Sequence, residues 1–168
     1  MKKSDRHNHT VFLCSGAMIA ALYVILTWIS AAAGLSSGVI QFRISESLCI
    51  LAVFTPAAIP GMTLGCLISN LLTGCALYDV IFGTLATLAG VLGVRLMRRL
   101  PYLAPLPYAA ANTAVIPFVL AFVYGSKGSL PYFFLTVGIG EAVCGWIGGV
   151  ILYIILRRTP IEKMKNGM

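Results

Sequence analysis

The stretch "TPAAIPG", Thr55 to Gly61, decides how many times this chain turns. Apolar runs flank it on both sides. If the chain reverses here, the runs are two separate helices. If it passes straight through, residues 40–74 form one long kinked or re-entrant element. Pro56 and Pro60 favour the reversal, because a proline disfavours helical geometry in the residue before it.

The surroundings make this a question about a membrane. Of 168 residues, 59% are hydrophobic and only 10% are charged, against roughly a quarter charged in a soluble domain. With a mean hydropathy of +0.93, the chain has too little polar surface to clothe a soluble globule. It reads as an all-α integral membrane protein forming a single membrane domain over residues 1–168. A spanning helix needs about 20 apolar residues. Candidate spans lie at about 11–34, 40–55, 57–74, 78–97, 105–125 and 130–156, between tails at 1–10 and 157–168.

Basic residues arbitrate between the two readings of Thr55–Gly61. Ten of the twelve Lys and Arg fall in three clusters: Lys2, Lys3, Arg6; Arg95, Arg98, Arg99; and Arg157, Arg158, Lys163, Lys165. Six transmembrane helices with both termini inside place all three clusters in the cytoplasm, as the positive-inside rule asks. Arg43 and Lys127 then fall outside. Merging the second and third runs would put the last two clusters on the wrong side. The net charge of +7 is therefore a topology signal, and no nucleic-acid partner is expected. "MKKSDR" followed by an apolar run and "SAAAG" superficially matches a signal peptide. The run exceeds the usual 7–15-residue signal core, so it is expected to stay as the first span.

The five cysteines lie in or beside apolar segments without a CxxC, the habit of a small hydrophobe rather than of a disulfide or metal ligand. His7 and His9 have no partner motif, so neither metal nor cofactor is called for. There is no GxxxxGK[ST], GxSxG or HExxH, which excludes ATP hydrolysis by this chain and the common hydrolase chemistries. No internal repeat marks an inverted-repeat transporter.

Polarity is concentrated elsewhere. Threading the chain through six spans leaves three outer connections, "GLSSGVIQFR", "TGCALYD" and "GSKGS". Gln41, Phe42, Arg43 and Glu46 lie at the first of these and the start of the second helix. Asn70 and Asp79 flank the second connection. Glu141, ten residues past Pro131, sits about 15 Å into the last span, and Asn112 reaches a similar depth from the other side. Ionisable groups inside a membrane are expensive and by default mark a functional cavity. Internal pairs, Arg43 with Glu46 or with Asp79, are the structural alternative, and the asparagines can equally serve as interhelical glue.

Three acids (Glu46, Asp79, Glu141) face one embedded base, Arg43, with Lys127 in a loop. Such a site suits a ligand rich in N–H donors, or a cationic one. Trp28, Phe42, Tyr78, Tyr132, Phe133 and Trp146 are available to stack on a flat ring, though interfacial anchoring and helix packing also explain them. Small residues recur at four-residue spacing in the first helix, Gly16/Ala20 and Ala17/Ala21, and again at Gly61/Gly65 and Gly145/Gly149. These strips let helices approach closely, inside the bundle or in a partner subunit.

The chain resembles the QueT family, substrate-binding S components of energy-coupling factor (ECF) transporters linked to queuosine precursors. "AMIAALYVILT", "VIQFRISESLCILAVFTPAAIPGMTLGCLISNLLTG" and "YDVIFGTLATLAG" carry the resemblance over roughly residues 16–90. It implies a six-helix bundle in a bacterial cell membrane, monomeric when isolated, that captures its ligand from outside. Partners implied are a transmembrane T component, docked through Ala17 and Ala21 with Gly16 and Ala20 on the same helix, and two cytoplasmic ATPases. "GLSSGVIQFR" and "GSKGS" would act as lids. The implied ligands are deazaguanines, whose N–H edge suits Glu46 or Glu141. Asp79 would suit a ligand amine, and Asn70, Asn112 or Gln41 the ring carbonyl. Alternatives are an S component for another vitamin, such as riboflavin or thiamine, or a small oligomeric channel.

Overall fold

The computed structural model describes residues 3–35, 42–123 and 129–159, with side chains from Asn8 onward. Six helices account for nearly all of them, and there is no strand among the described residues: α1 (Lys3–Ala32), α2 (Ile44–Phe54), α3 (Ala58–Leu72), α4 (Leu77–Leu96), α5 (Leu106–Phe122) and α6 (Leu130–Arg157). The chain does reverse at the stretch that raised the question. Thr55 is extended (φ −136°, ψ 136°), its hydroxyl accepts the Ala57 N–H at 3.2 Å, and α3 starts at Ala58. Pro60 lies within the first turn of α3, where a missing N–H costs nothing.

Among the described residues, three helices are long and apolar enough to cross a membrane: Asn8–Ala32, Leu77–Leu96 and Leu130–Arg157. The others are apolar but shorter, at 11, 15 and 17 residues. The helix that carries the first expected span begins ahead of it, at Lys3, and runs through the polar "KSDRHNHT", because nothing in that stretch breaks a helix already formed by the apolar run behind it.

Close contacts give the helix directions. Thr27 and Ser30 of α1 meet Ser45 and Ile44 of α2 in reversed order. Gly61 and Gly65 of α3 lie against Gly16 and Ala20 of α1 in the same order. Asn70 and Cys66 face Gly83 and Thr87, while Gly83 and Gly90 face Ile116 and Tyr108. Gly138 and Gly145 pass Thr113 and Tyr108. Successive helices thus alternate up and down. Neighbours follow one another around the bundle as α1, α3, α4, α5, α6 and α2, which returns to α1. The alternation brings the start of α1, the Arg95–Arg99 segment and Arg157–Arg158 to one end.

The half of the bundle near that end is apolar and tightly filled. Ile50, Ala52, Met62, Val91, Val94 and Tyr108 are buried together there. The α1–α3 seam is close enough that a Cβ on Gly61 would stand 2.7 Å from the Gly16 carbonyl oxygen, and one on Gly65 2.7 Å from Tyr23 Cβ. Large apolar side chains cover the outside, among them Leu13, Met18, Trp28, Phe122 and Leu135. A solvent-facing helix would not display such a surface; lipid accepts it.

Candidate ligand site

Two of the six helices depart from regular α geometry, and each does so beside a buried acid. The start of α2, Ile44–Ile50, is a 3-10 helix, longer than such segments usually run. Within it Glu46 is 7% exposed. The Thr27 hydroxyl donates to Ser45 Oγ at 2.8 Å and Ser30 Oγ accepts the Ile44 N–H at 3.2 Å, tying this overwound turn to α1. In α6 the residues after Glu141, Ala142–Ile147, are π-helical, a rare underwound form that is frequent at functional sites. The two irregular turns pack against each other. Their carboxyl groups meet: Glu46 lies against Glu141, and Asn112 of α5 stands beside Glu141. Two carboxyl groups in contact are stable only when a proton or a cationic donor lies between them.

Arg43 precedes the 3-10 turn in extended conformation and donates through Nη1 to Asn70 Oδ1 at 3.2 Å. The other end of that amide donates to Cys66 Sγ at 3.6 Å, and the Thr87 hydroxyl also reaches this sulfur, at 3.3 Å. These groups surround one cavity. Its walls are Arg43, Glu46, Asn112 and Glu141, with Tyr23, Cys66, Thr87, Tyr108, Gly83, Ile116 and Val137. Its volume is about 20 Å³, the room of roughly one water.

The cavity is polar but incompletely satisfied. Among the described residues four buried side-chain polar atoms lack a hydrogen-bond partner, and three belong to these walls: Arg43 Nε, Tyr108 Oη and Glu141 Oε2. A buried polar atom left unpaired costs about 1–3 kcal/mol. Three around one cavity make it the candidate site for a polar ligand that would pair them.

Of the side chains expected to bind, Glu46, Glu141, Asn112 and Arg43 converge on the cavity. Asn70 stands just behind, engaged by Arg43. Asp79 is buried beside it: a Cβ on Gly83 would lie 3.3 Å from Asn70 Nδ2 and 3.5 Å from Asp79 Oδ1. Phe42 is half-buried and forms no part of the walls, its N–H donating instead to the Leu35 carbonyl at 2.9 Å. Gln41 and most of both expected lid segments lie outside the described residues. The expected docking strip divides, since Gly16 and Ala20 are taken up by the seam with α3 while Ala17 and Ala21 face outward.

Sequence reading missed Tyr23, Cys66, Thr87 and Tyr108. A signal was present. Tyr108, Asn112 and Ile116 follow at four-residue steps, as do Cys66 with Asn70, Gly83 with Thr87, and Val137 with Glu141. Side chains four apart share a helix face, so extending each polar residue by one turn finds most of the walls.

A family model described as the QueT transporter matches residues 13–158. The chain belongs to the QueT transporter family. Within the QueT family, the queuosine precursor transporter QueT of Lactococcus lactis subsp. cremoris (strain MG1363) is 44% identical over 100 residues, or 59% of this chain and 56% of that protein. The match thus spans just over half of that relative's length. No solved structure matches the chain.

Proposed function

We propose that this QueT-family protein is the substrate-binding S component of an ECF-type importer, and that it captures a deazaguanine precursor of queuosine from outside the cell. The observation that carries this reading is the pair of buried carboxyl groups, Glu46 and Glu141, in contact on the wall of a polar cavity that also holds Arg43. A guanine-type edge offers a ring N–H and an exocyclic NH2 side by side, which carboxylate oxygens accept together. The aminomethyl precursor adds a cation, which an acid surplus favours. The name of the Lactococcus lactis relative supports the same ligand class.

The reading includes six spans, both termini in the cytoplasm and residence in the bacterial cell membrane. Support comes from the alternation of the helices and from the arginines gathered at one end of the bundle, where they satisfy the positive-inside rule. Ala17 and Ala21 remain on the outer side of α1 as the docking face for a T component, and two partner ATPases would supply the energy. The chain itself then performs binding and delivery, with no chemical step.

In this conformation the cavity is far smaller than the roughly 300 Å³ from which ligand pockets start. A bicyclic ring enters only when the walls separate. The 3-10 turn of α2 and the π turn of α6 are the segments with a regular α-helix to relax into, and they carry the two acids. Isothermal titration of the purified protein with the aminomethyl-deazaguanine base, queuine, riboflavin and thiamine tests the proposal. Tight binding confined to the deazaguanines supports it; tight binding of riboflavin or thiamine with none of the deazaguanines overturns it.

A further inference from the structure

The acids account for the N–H edge of such a ligand, and its ring carbonyl needs a donor. The asparagines suggested by sequence are already committed. Asn70 is engaged at both ends of its amide, by Arg43 and by Cys66, and Asn112 is occupied beside Glu141. The Thr87 hydroxyl donates to Cys66, and Tyr23 is bonded to the same sulfur. Among the described residues, two fully buried donors on the walls are left without a partner, Arg43 Nε and Tyr108 Oη.

Tyr108 is built in with unusual care for a side chain whose hydroxyl bonds nothing. It is 0% exposed. Its ring lies in a slot between α4 and the π turn of α6: a Cβ on Gly90 would come within 2.9 Å of its Cδ2, and one on Gly145 within 3.7 Å of its Cδ1. The same Gly145 keeps Glu141 Oε2 uncovered, since a Cβ there would stand 3.1 Å from that oxygen. Packing alone would be served better by phenylalanine, which fills the slot without burying an unpaired hydroxyl.

Resting on the deazaguanine reading above, we propose that Tyr108 and Arg43 together read the ring carbonyl oxygen of the ligand while Glu141 and Glu46 accept its N–H edge, which makes the Tyr108 hydroxyl a specificity determinant for oxo-bearing over amino-bearing rings. Carbonyl, ring N–H and exocyclic amine share one edge of the ligand, so that edge meets the two acids and, beside them, Arg43 and Tyr108. A ring bearing an amine in place of the carbonyl brings a donor to two donors and also loses the ring N–H that the acids accept, and polar sites reject such mismatches strongly; the share of Tyr108 is read from how far Tyr108→Phe narrows the preference.

The test compares wild-type protein and Tyr108→Phe, each titrated with the aminomethyl-deazaguanine base and with the matching diamino ring that lacks the carbonyl. Wild type is expected to prefer the oxo ring by about 100-fold. Tyr108→Phe should weaken oxo-ring binding about tenfold and leave diamino-ring binding unchanged or tighter. Without ligand, its Tm should equal or exceed that of wild type, because an unpaired buried hydroxyl has been removed. Equal weakening of both rings, a lowered Tm, or unchanged oxo-ring affinity would each overturn the assignment of Tyr108. Wild-type protein that binds neither ring overturns the deazaguanine reading as well, so the two failures are distinct.

Discussion

Two of the cavities among the described residues could hardly differ more. The larger, about 690 Å³, is a groove between the outer parts of α4 and α5 lined by Tyr78, Phe82, Ala114, Val115, Phe118, Val119, Phe122 and Val123. The smaller, about 20 Å³, is ringed by two carboxyl groups, a guanidinium, an amide and buried hydroxyls. By size alone the groove would be the ligand site. Its walls are apolar almost throughout, however, and an apolar concavity on a lipid-facing surface is filled by acyl chains without selecting anything. Recognition of a polar ring requires convergent donors and acceptors, and those lie in the cavity that is nearly closed. On the proposed reading, chemistry points to the site, and volume reports how far it is open.

Mutations can break this contrast. The largest effect is expected from the acids. Glu141→Gln and Glu46→Gln should each weaken deazaguanine binding by about 10–100-fold, and the double variant should bring it below detection in a titration, with helical content unchanged by circular dichroism. Ala17→Trp should abolish uptake in cells carrying the whole transporter yet leave the affinity of the purified protein within about twofold, because that side chain points away from both cavities. If binding is lost as well, the outward face of α1 contributes to the bundle interior. Gly90→Ala acts through the slot of Tyr108. The new Cβ would stand 2.8 Å from Tyr108 Cα, a backbone atom with little freedom to yield. A cost of about 1–3 kcal/mol is expected, seen as a lowered Tm together with several-fold weaker binding. The smallest effect belongs to the groove: Phe118→Ala should change ligand affinity by less than about twofold. A large loss there would move the site.

The contrast also separates what sequence discloses from what it conceals. Composition and basic clusters were enough to predict an all-helical membrane chain, and Pro56 was enough to locate the α2–α3 reversal. The fourth helix, expected at 78–97, is found at Leu77–Leu96. Glu46, Glu141, Asn112 and Arg43 were legible because an ionisable or amide group in an apolar run must have a reason to be there. Tyr108 and Cys66 were not, since tyrosine and cysteine are ordinary in apolar helices and only the packing reveals what the hydroxyl and the sulfur face. Nor could local pattern disclose the 3-10 and π turns. They arise where tertiary contacts, Thr27 with Ser45 on one side and the Glu46–Glu141 pair on the other, hold the backbone off its preferred path. The first helix shows a similar limit. Its two small-residue strips look alike in sequence, and only the α1–α3 seam assigns Gly16 and Ala20 inward and Ala17 and Ala21 outward.

The most direct test of the central claim is a structure determined with the aminomethyl-deazaguanine base bound. The account predicts planar density whose hydrogen-bonding edge faces all four groups, Glu46 and Glu141 against the N–H donors and Arg43 and Tyr108 beside them at the carbonyl, in a cavity widened by movement of the 3-10 and π turns. Density lodged instead between Phe82 and Phe118, with the Glu46–Glu141 contact intact, would contradict it.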